Sequence, residues 1–120
     1  MKNEQRPIIV AIAYSVITKK NVNHVFSYKD SKYYNVSCNP DNSSVNSYDY
    51  TRKCYVSGNI SGNKYSLYDY GEKKYIDLTI NGNEFKGYDY SSRKHFSGKI
   101  SGNNVELYDY QESKYFSYSI

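Results

Sequence analysis

The 120-residue chain has no Trp, one Met, two Pro and two Cys. It also lacks any block of like charge and any long apolar run. Each shortage excludes something. Scarce Pro beside abundant aromatics excludes a disordered chain. Cys38 and Cys54, with His24 and His95, fit no zinc-ligand spacing and no H-E-x-x-H helix. Charges of both signs are scattered to a net +4, so neither a basic nucleic-acid arm nor a polybasic membrane segment is present. No stretch approaches the ~20 apolar residues of a bilayer span. A Gly-rich phosphate loop and a Ser nucleophile elbow are both missing. The expectation is a protein that is no enzyme and uses no cofactor and no metal.

What the chain has instead is Tyr: 17 of them, against 4 Phe. With hydrophobic residues at only 38%, Tyr supplies apolar rings that carry a polar handle and can face core or water. The length fits one domain, 1–120. One segment stands apart. Pro7 to Ile17, PIIVAIAYSVI, follows Lys2 and Arg6. Ala11-Ile12-Ala13 imitates a signal-peptide cleavage site, but the apolar run before it is about six residues, short of the usual ~7–15. The expectation for 1–21 is therefore a buried apolar strand. Localisation is read as cytoplasmic before secreted, the short apolar N-terminus leaving secretion open.

The organising feature is a 20-residue repeat. Tyr-Asp-Tyr recurs at Tyr48-Asp49-Tyr50, Tyr68-Asp69-Tyr70, Tyr88-Asp89-Tyr90 and Tyr108-Asp109-Tyr110. In the same register recur Tyr55, Tyr75, His95 and Tyr115, then Ile60, Ile80, Ile100 and Ile120, then Gly62-Asn63, Gly82-Asn83 and Gly102-Asn103. Such periodicity marks a repeat architecture. Residues 47–120 hold four copies, the last a half. Residues 22–46 read as a degenerate copy, with Tyr28 matching the first Tyr, Lys32-Tyr33 echoing the Lys-Tyr step, and Asn39-Pro40-Asp41-Asn42 replacing the Gly-Asn turn.

Within a unit, Ile76, Leu78 and Ile80 alternate with Tyr75, Asp77 and Thr79. That period of two specifies a half-buried strand. Gly-Asn permits a tight turn, and a return strand then runs to Tyr-Asp-Tyr. The sequence thus predicts an all-β fold: an antiparallel meander of 20-residue hairpins, closed or nearly closed around an axis. Val56, Ile60, Tyr65, Leu67, Ile76, Leu78, Ile80, Phe85, Phe96, Ile100, Val105, Leu107, Phe116 and Ile120 form the expected core. Gly58, Gly87 and Gly98 share its parity, where backbones can crowd. Lys114 to Ile120 lacks a partner strand, as does Val22 to Tyr28. Pairing the two would abolish both edges. Cys38 and Cys54 lie on strands separated by a third, at ~9.6 Å, too far for a disulfide. Free thiols are expected, in keeping with a reducing compartment.

A Tyr-Asp pair closing a strand, then a polar turn, a new strand and Gly-Asn, resembles bacterial YD repeats. Tyr68-Asp69, Gly71 and Gly82-Asn83 carry the likeness, although Gly71 sits two residues after Asp69 where that family places Gly at three. The four Tyr-Asp-Tyr copies over 47–120 resemble bacterial β-flower domains more closely. That resemblance implies a compact symmetric bacterial fold and no particular activity. Choline-binding repeats are of similar length but depend on Trp.

Two residue sets invite a function. Asp49, Asp69, Asp89 and Asp109 could ring an axis and hold a cation. Each also immediately precedes a turn, where Asp accepts backbone N–H groups, and turn bracing is the favoured reading. The second set is Tyr48, Tyr50, Tyr55, Tyr68, Tyr70, Tyr75, Tyr88, Tyr90, Tyr108, Tyr110 and Tyr115, all of outward parity. These rings can anchor a protein interface, stack on sugars or stack on unpaired bases. They can equally stiffen the sheet by cross-strand pairing. The expectation is a non-catalytic binding or assembly module. It presents the Tyr surface to a protein partner or to itself, with a carbohydrate-binding module of a secreted or cell-surface protein as the alternative. No nucleic-acid or membrane partner is expected.

Overall fold

The computed structural model describes residues 1–41 and 43–120; Asn42, one of the four residues read as replacing the Gly-Asn turn, lies outside them. The described chain forms one helix, α1 (Arg6–Thr18), and ten strands: β1 (Val22–Ser27), β2 (Lys32–Cys38), β3 (Ser44–Asp49), β4 (Cys54–Ser61), β5 (Lys64–Asp69), β6 (Lys74–Asn81), β7 (Glu84–Asp89), β8 (Lys94–Ser101), β9 (Asn104–Asp109) and β10 (Lys114–Ser119). Consecutive strands pair antiparallel, and β1 pairs β10, so the meander closes into a barrel.

Register follows the repeat. In each Tyr-Asp-Tyr hairpin the Asp pairs with the residue five positions on, as Asp69 does with Lys74, leaving a four-residue turn. At the opposite end Ser61 pairs with Lys64, so Gly62-Asn63 is a two-residue loop with Gly62 at φ 65°. A positive φ at the first central position suits the twist of a hairpin and selects Gly. Asn63 and Asn83 then donate side-chain N–H groups to the Ile80 and Ile100 carbonyls of the next unit, at 3.0 and 3.1 Å. The closing seam is short, with Phe26 opposite Ser119 and Ser27 opposite Tyr118, extended by the Tyr28 N–H donating to the Ser117 carbonyl.

Residues 6–18 form a helix, not the expected strand. Pro7 suits its first turn, and the Lys19 N–H donates to the Ser15 carbonyl with Lys19 in the left-handed region. Ile8, Ile9, Val10, Ala11, Ile12 and Ala13 are fully buried. A helix apolar on every face must be enclosed, and here the barrel encloses it. Strand side chains just fill a barrel of about eight strands. Ten strands leave an axial space, and α1 occupies it. The segment therefore belongs to the core, joined by Val25, Val56, Leu67, Ile76, Leu78, Phe96 and Leu107. Ile60, Ile80 and Ile120 are half-buried at its margin. The small inward positions permit close packing: a Cβ added at Gly58 would lie 1.8 Å from the Ser66 carbonyl oxygen.

The first hairpin, β1–β2, carries a register shift between Val22 and His24 that the later hairpins lack. The alignment of Tyr28 with the first Tyr of Tyr-Asp-Tyr is two residues out. Phe26-Ser27-Tyr28 holds the Tyr-Asp-Tyr place, because Ser27 pairs with Lys32 as Asp69 pairs with Lys74. The Ser27 hydroxyl accepts the Asp30 N–H three residues on at 3.2 Å, as Asp49 and Asp69 accept those of Arg52 and Glu72. The repeat thus gives five hairpins, β1–β2 through β9–β10.

Candidate functional site

Strand parity sends the predicted Tyr residues outward, and the hairpin register gathers them into threes. Tyr68 packs edge-on against Tyr70 and Tyr75, with ring centroids 4.8 and 4.9 Å apart. The same triad recurs as Tyr48/Tyr50/Tyr55, Tyr88/Tyr90/His95 and Tyr108/Tyr110/Tyr115. The first unit completes the ring with Phe26/Tyr28/Tyr33. Phe26, Tyr28, Tyr33 and His95 are the members that the sequence reading left out. The Lys32-Tyr33 step, five residues after Ser27, was the signal for the first three.

Each triad divides its labour. The central ring, Tyr48, Tyr68, Tyr88 or Tyr108, is half-buried between its neighbours. The flanking rings stand clear, from 46% exposed at Tyr90 to 64% at Tyr115. Tyr90 donates its hydroxyl to Asp77 at 2.9 Å, and that carboxylate raises the pKa of the phenol. Open grooves flank the triads. One is bounded by Tyr68, Tyr75, Tyr88 and Tyr90 and floored by Ser66 and Asp77, with Lys73 and Arg93 at its rim. Another is bounded by Tyr48, Tyr50 and Tyr55 with Lys53, Asn39 and Asn46.

The Asp set has a different role. Oδ1 of Asp49, Asp69, Asp89 and Asp109 accepts the N–H two residues on, at 3.1, 2.9, 3.1 and 3.0 Å. Each carboxylate therefore braces its turn. All four are buried, so the second oxygens also need partners. Arg52 bridges Asp49 and Asp69, with Nε and Nη1 at 2.7 and 3.0 Å from their Oδ2 atoms. Burial opposes the Arg52 charge, but the bond and charge of Asp49, with the charge of Asp69, raise its pKa on balance. Gln5 donates to Asp69 at 2.8 Å, while Arg6 and the Met1 α-amino group approach Asp109 Oδ2 at 3.0 and 3.2 Å. Residues of the helix N-terminus, where the helix dipole favours anions, thus occupy this end of the axis. Asp89 Oδ2 has no hydrogen-bond partner among the described residues.

Cys38 and Cys54 are buried, free thiols. Burial pushes the Cys38 thiol up to about 12, so it is a weak nucleophile. No helix among the described residues is long and apolar enough to cross a membrane. The outward strand positions Asn46, Asn59, Ser66, Lys86, Lys99 and Glu106 are exposed polar residues, unlike the apolar band of a membrane barrel. No protein-family model, no curated protein and no solved structure matches the chain.

Proposed function

We propose that this protein is a non-catalytic, multivalent binding module whose girdle of aromatic triads captures a repetitive partner. The observation that carries the reading is the ring of flanking Tyr side chains, about half exposed, on the outside of a closed barrel. Rings braced against a central neighbour lose little freedom on binding, which lowers the entropic cost. Repetition around one barrel lets weak sites act together.

Of the two partner classes, the sequence favours a protein, with a carbohydrate as the alternative. The grooves favour the carbohydrate. The exposed rings do not merge into one apolar patch; Ser66, Asp77, Asn39, Asn46 and basic side chains lie between them. Sugar rings offer apolar faces to Tyr and hydroxyls to those polar groups. A flat protein interface would leave many of the polar groups unpaired, at a cost for each.

The flanking rings provide the test. Tyr70→Ser, Tyr90→Ser and Tyr110→Ser together should abolish capture on a polysaccharide array while the protein remains folded. Tyr68→Ser should behave differently, lowering stability by about 1–3 kcal/mol through two lost ring contacts. Capture left intact in the folded triple variant would remove the girdle as the site. A pull-down that recovers one protein through the same Tyr residues, with no glycan bound, would restore the protein reading.

A further inference from the structure

The turns that follow Tyr-Asp-Tyr contain an anomaly. Their last residue lies in the left-handed region: Ser31, Lys53, Lys73, Arg93 and Ser113 at φ 53°, 55°, 56°, 59° and 56°. That conformation disfavours any side chain with a Cβ, and Gly or Asn adopts it at least cost. The chain has the cheaper solution available, since Gly62, Gly82 and Gly102 supply positive φ at the other end of the barrel. At the girdle end, three consecutive units keep a cation instead. Backbone strain retained at a surface position points to a use for the side chain. Lys73 and Arg93, with Lys74, line the groove between the Tyr68 and Tyr88 triads, and Lys53 lines a groove beside the Tyr48 triad.

Spacing gives the ligand its character. Equivalent residues of adjacent units lie two strands apart, about 9.6 Å in the sheet. That is close to one disaccharide of an extended polysaccharide. Nucleic acids carry their charge far more densely, about one per 1.7 Å of duplex axis. We propose that the arc formed by Lys53, Lys73 and Arg93 with the Tyr grooves beside them binds an acidic polysaccharide carrying one carboxylate per disaccharide. This rests on the reading that the girdle binds a glycan, and it adds the charge and the repeat length. Three successive carboxylates pair with the three cations while the sugars between them lie on the Tyr rings.

The probe is hyaluronan, which alternates a uronic acid with a neutral amino sugar, compared with its carboxyl-reduced form and with oligodeoxythymidine. Binding is followed by isothermal calorimetry and melting by circular dichroism. Hyaluronan should bind, and more weakly as salt rises, because exposed pairs are screened beyond ~8–10 Å. The variant Lys53→Gly/Lys73→Gly/Arg93→Gly should melt no lower than the parent, since Gly relieves the strain, yet bind about tenfold more weakly. A hexasaccharide should approach the affinity of the polymer, whereas a disaccharide should not. Equal binding of the carboxyl-reduced polymer would overturn the charge proposal and leave the girdle as a neutral-glycan site. Binding of oligodeoxythymidine but not hyaluronan would overturn it in favour of a nucleic acid. Absence of binding to any polysaccharide would remove the glycan reading as well. Unchanged affinity in the Gly variant would show that these cations are not contacts.

Discussion

Arg6 and Asp109, 103 positions apart in the chain, form a buried ion pair with Nε 3.0 Å from Oδ2 and side chains 3% and 1% exposed. The pair fixes the helix N-terminus to the last Tyr-Asp-Tyr turn. It therefore couples the plug to the barrel.

Removing one member should strand the other. Arg6→Met keeps the apolar length of the side chain but leaves Asp109 with only the α-amino group and its turn N–H. The expected loss is about 3 kcal/mol, the lower end for a broken buried pair, measured by urea denaturation. Arg6→Met combined with Asp109→Asn should recover much of it, because Asn braces the turn without a charge. A loss below about 1 kcal/mol for Arg6→Met would show that apolar packing alone seats the helix.

The four buried Asp residues differ in what they would lose. Asp69→Asn keeps the turn acceptor but gives up the charge that holds Arg52, costing about 1.5–3 kcal/mol. Asp89→Asn should cost under about 0.5 kcal/mol, because its second oxygen is unpartnered among the described residues. The cause lies one repeat earlier, where Glu72 stands in the place Arg52 takes between Asp49 and Asp69. Among the described residues, Asp49, Asp69, Asp89 and Asp109 pair with three cations: Arg52, Arg6 and the α-amino group. Glu72→Arg should restore the balance and raise stability by about 1 kcal/mol, after loss of the Lys2–Glu72 pair, whose Lys2 end is exposed. A fall in stability would mean that repulsion from Arg52 outweighs the new bonds.

Close strand approach should make Gly58 intolerant. A methyl group there meets the Ser66 carbonyl oxygen at 1.8 Å and the Leu67 Cα at 2.9 Å, both backbone atoms. Neither can rotate away, so Gly58→Ala should cost about 3 kcal/mol or more. Gly98→Ala meets the tip of Phe85 first, at 2.2 Å, but also the Glu106 carbonyl oxygen at 2.7 Å, and should cost somewhat less. Thermal melting of both variants checks the order.

The buried thiol links stability to alkaline pH. Burial holds the folded Cys38 thiol at about 12, with Asp49 adding to the shift and Ser47 opposing it. The unfolded thiol ionises near ~8.5. Above that pH the unfolded state has lost a proton that the folded state keeps, so stability falls as pH rises. Tyr34, Tyr65 and Tyr118, whose hydroxyls burial also pushes up, steepen the decline above ~10. Cys38→Val should flatten the first part of the curve. In native protein at pH 8 the thiol should resist iodoacetamide and should label fully in urea; rapid native labelling would contradict the burial.

The sequence by itself determined the meander, its 20-residue register, the inward and outward faces, the bracing Asp residues and the closure of the last strand onto the first. All of these are local or periodic: alternation sets the face, Asp before a turn sets the cap, and unpaired strands at both ends of a repeat array must find each other. Tertiary structure decided what periodicity cannot express. Ile8 to Ala13 is apolar at every position, which suits a buried strand and a buried helix equally, and only the width of a ten-strand barrel selects the helix. Ser27 substitutes for Asp in the first unit, and its role emerges from pairing with Lys32 rather than from residue type. The division of each triad into a braced central Tyr and two exposed partners arises the same way. It depends on two strands meeting side by side, a relation that exists only after the chain has folded.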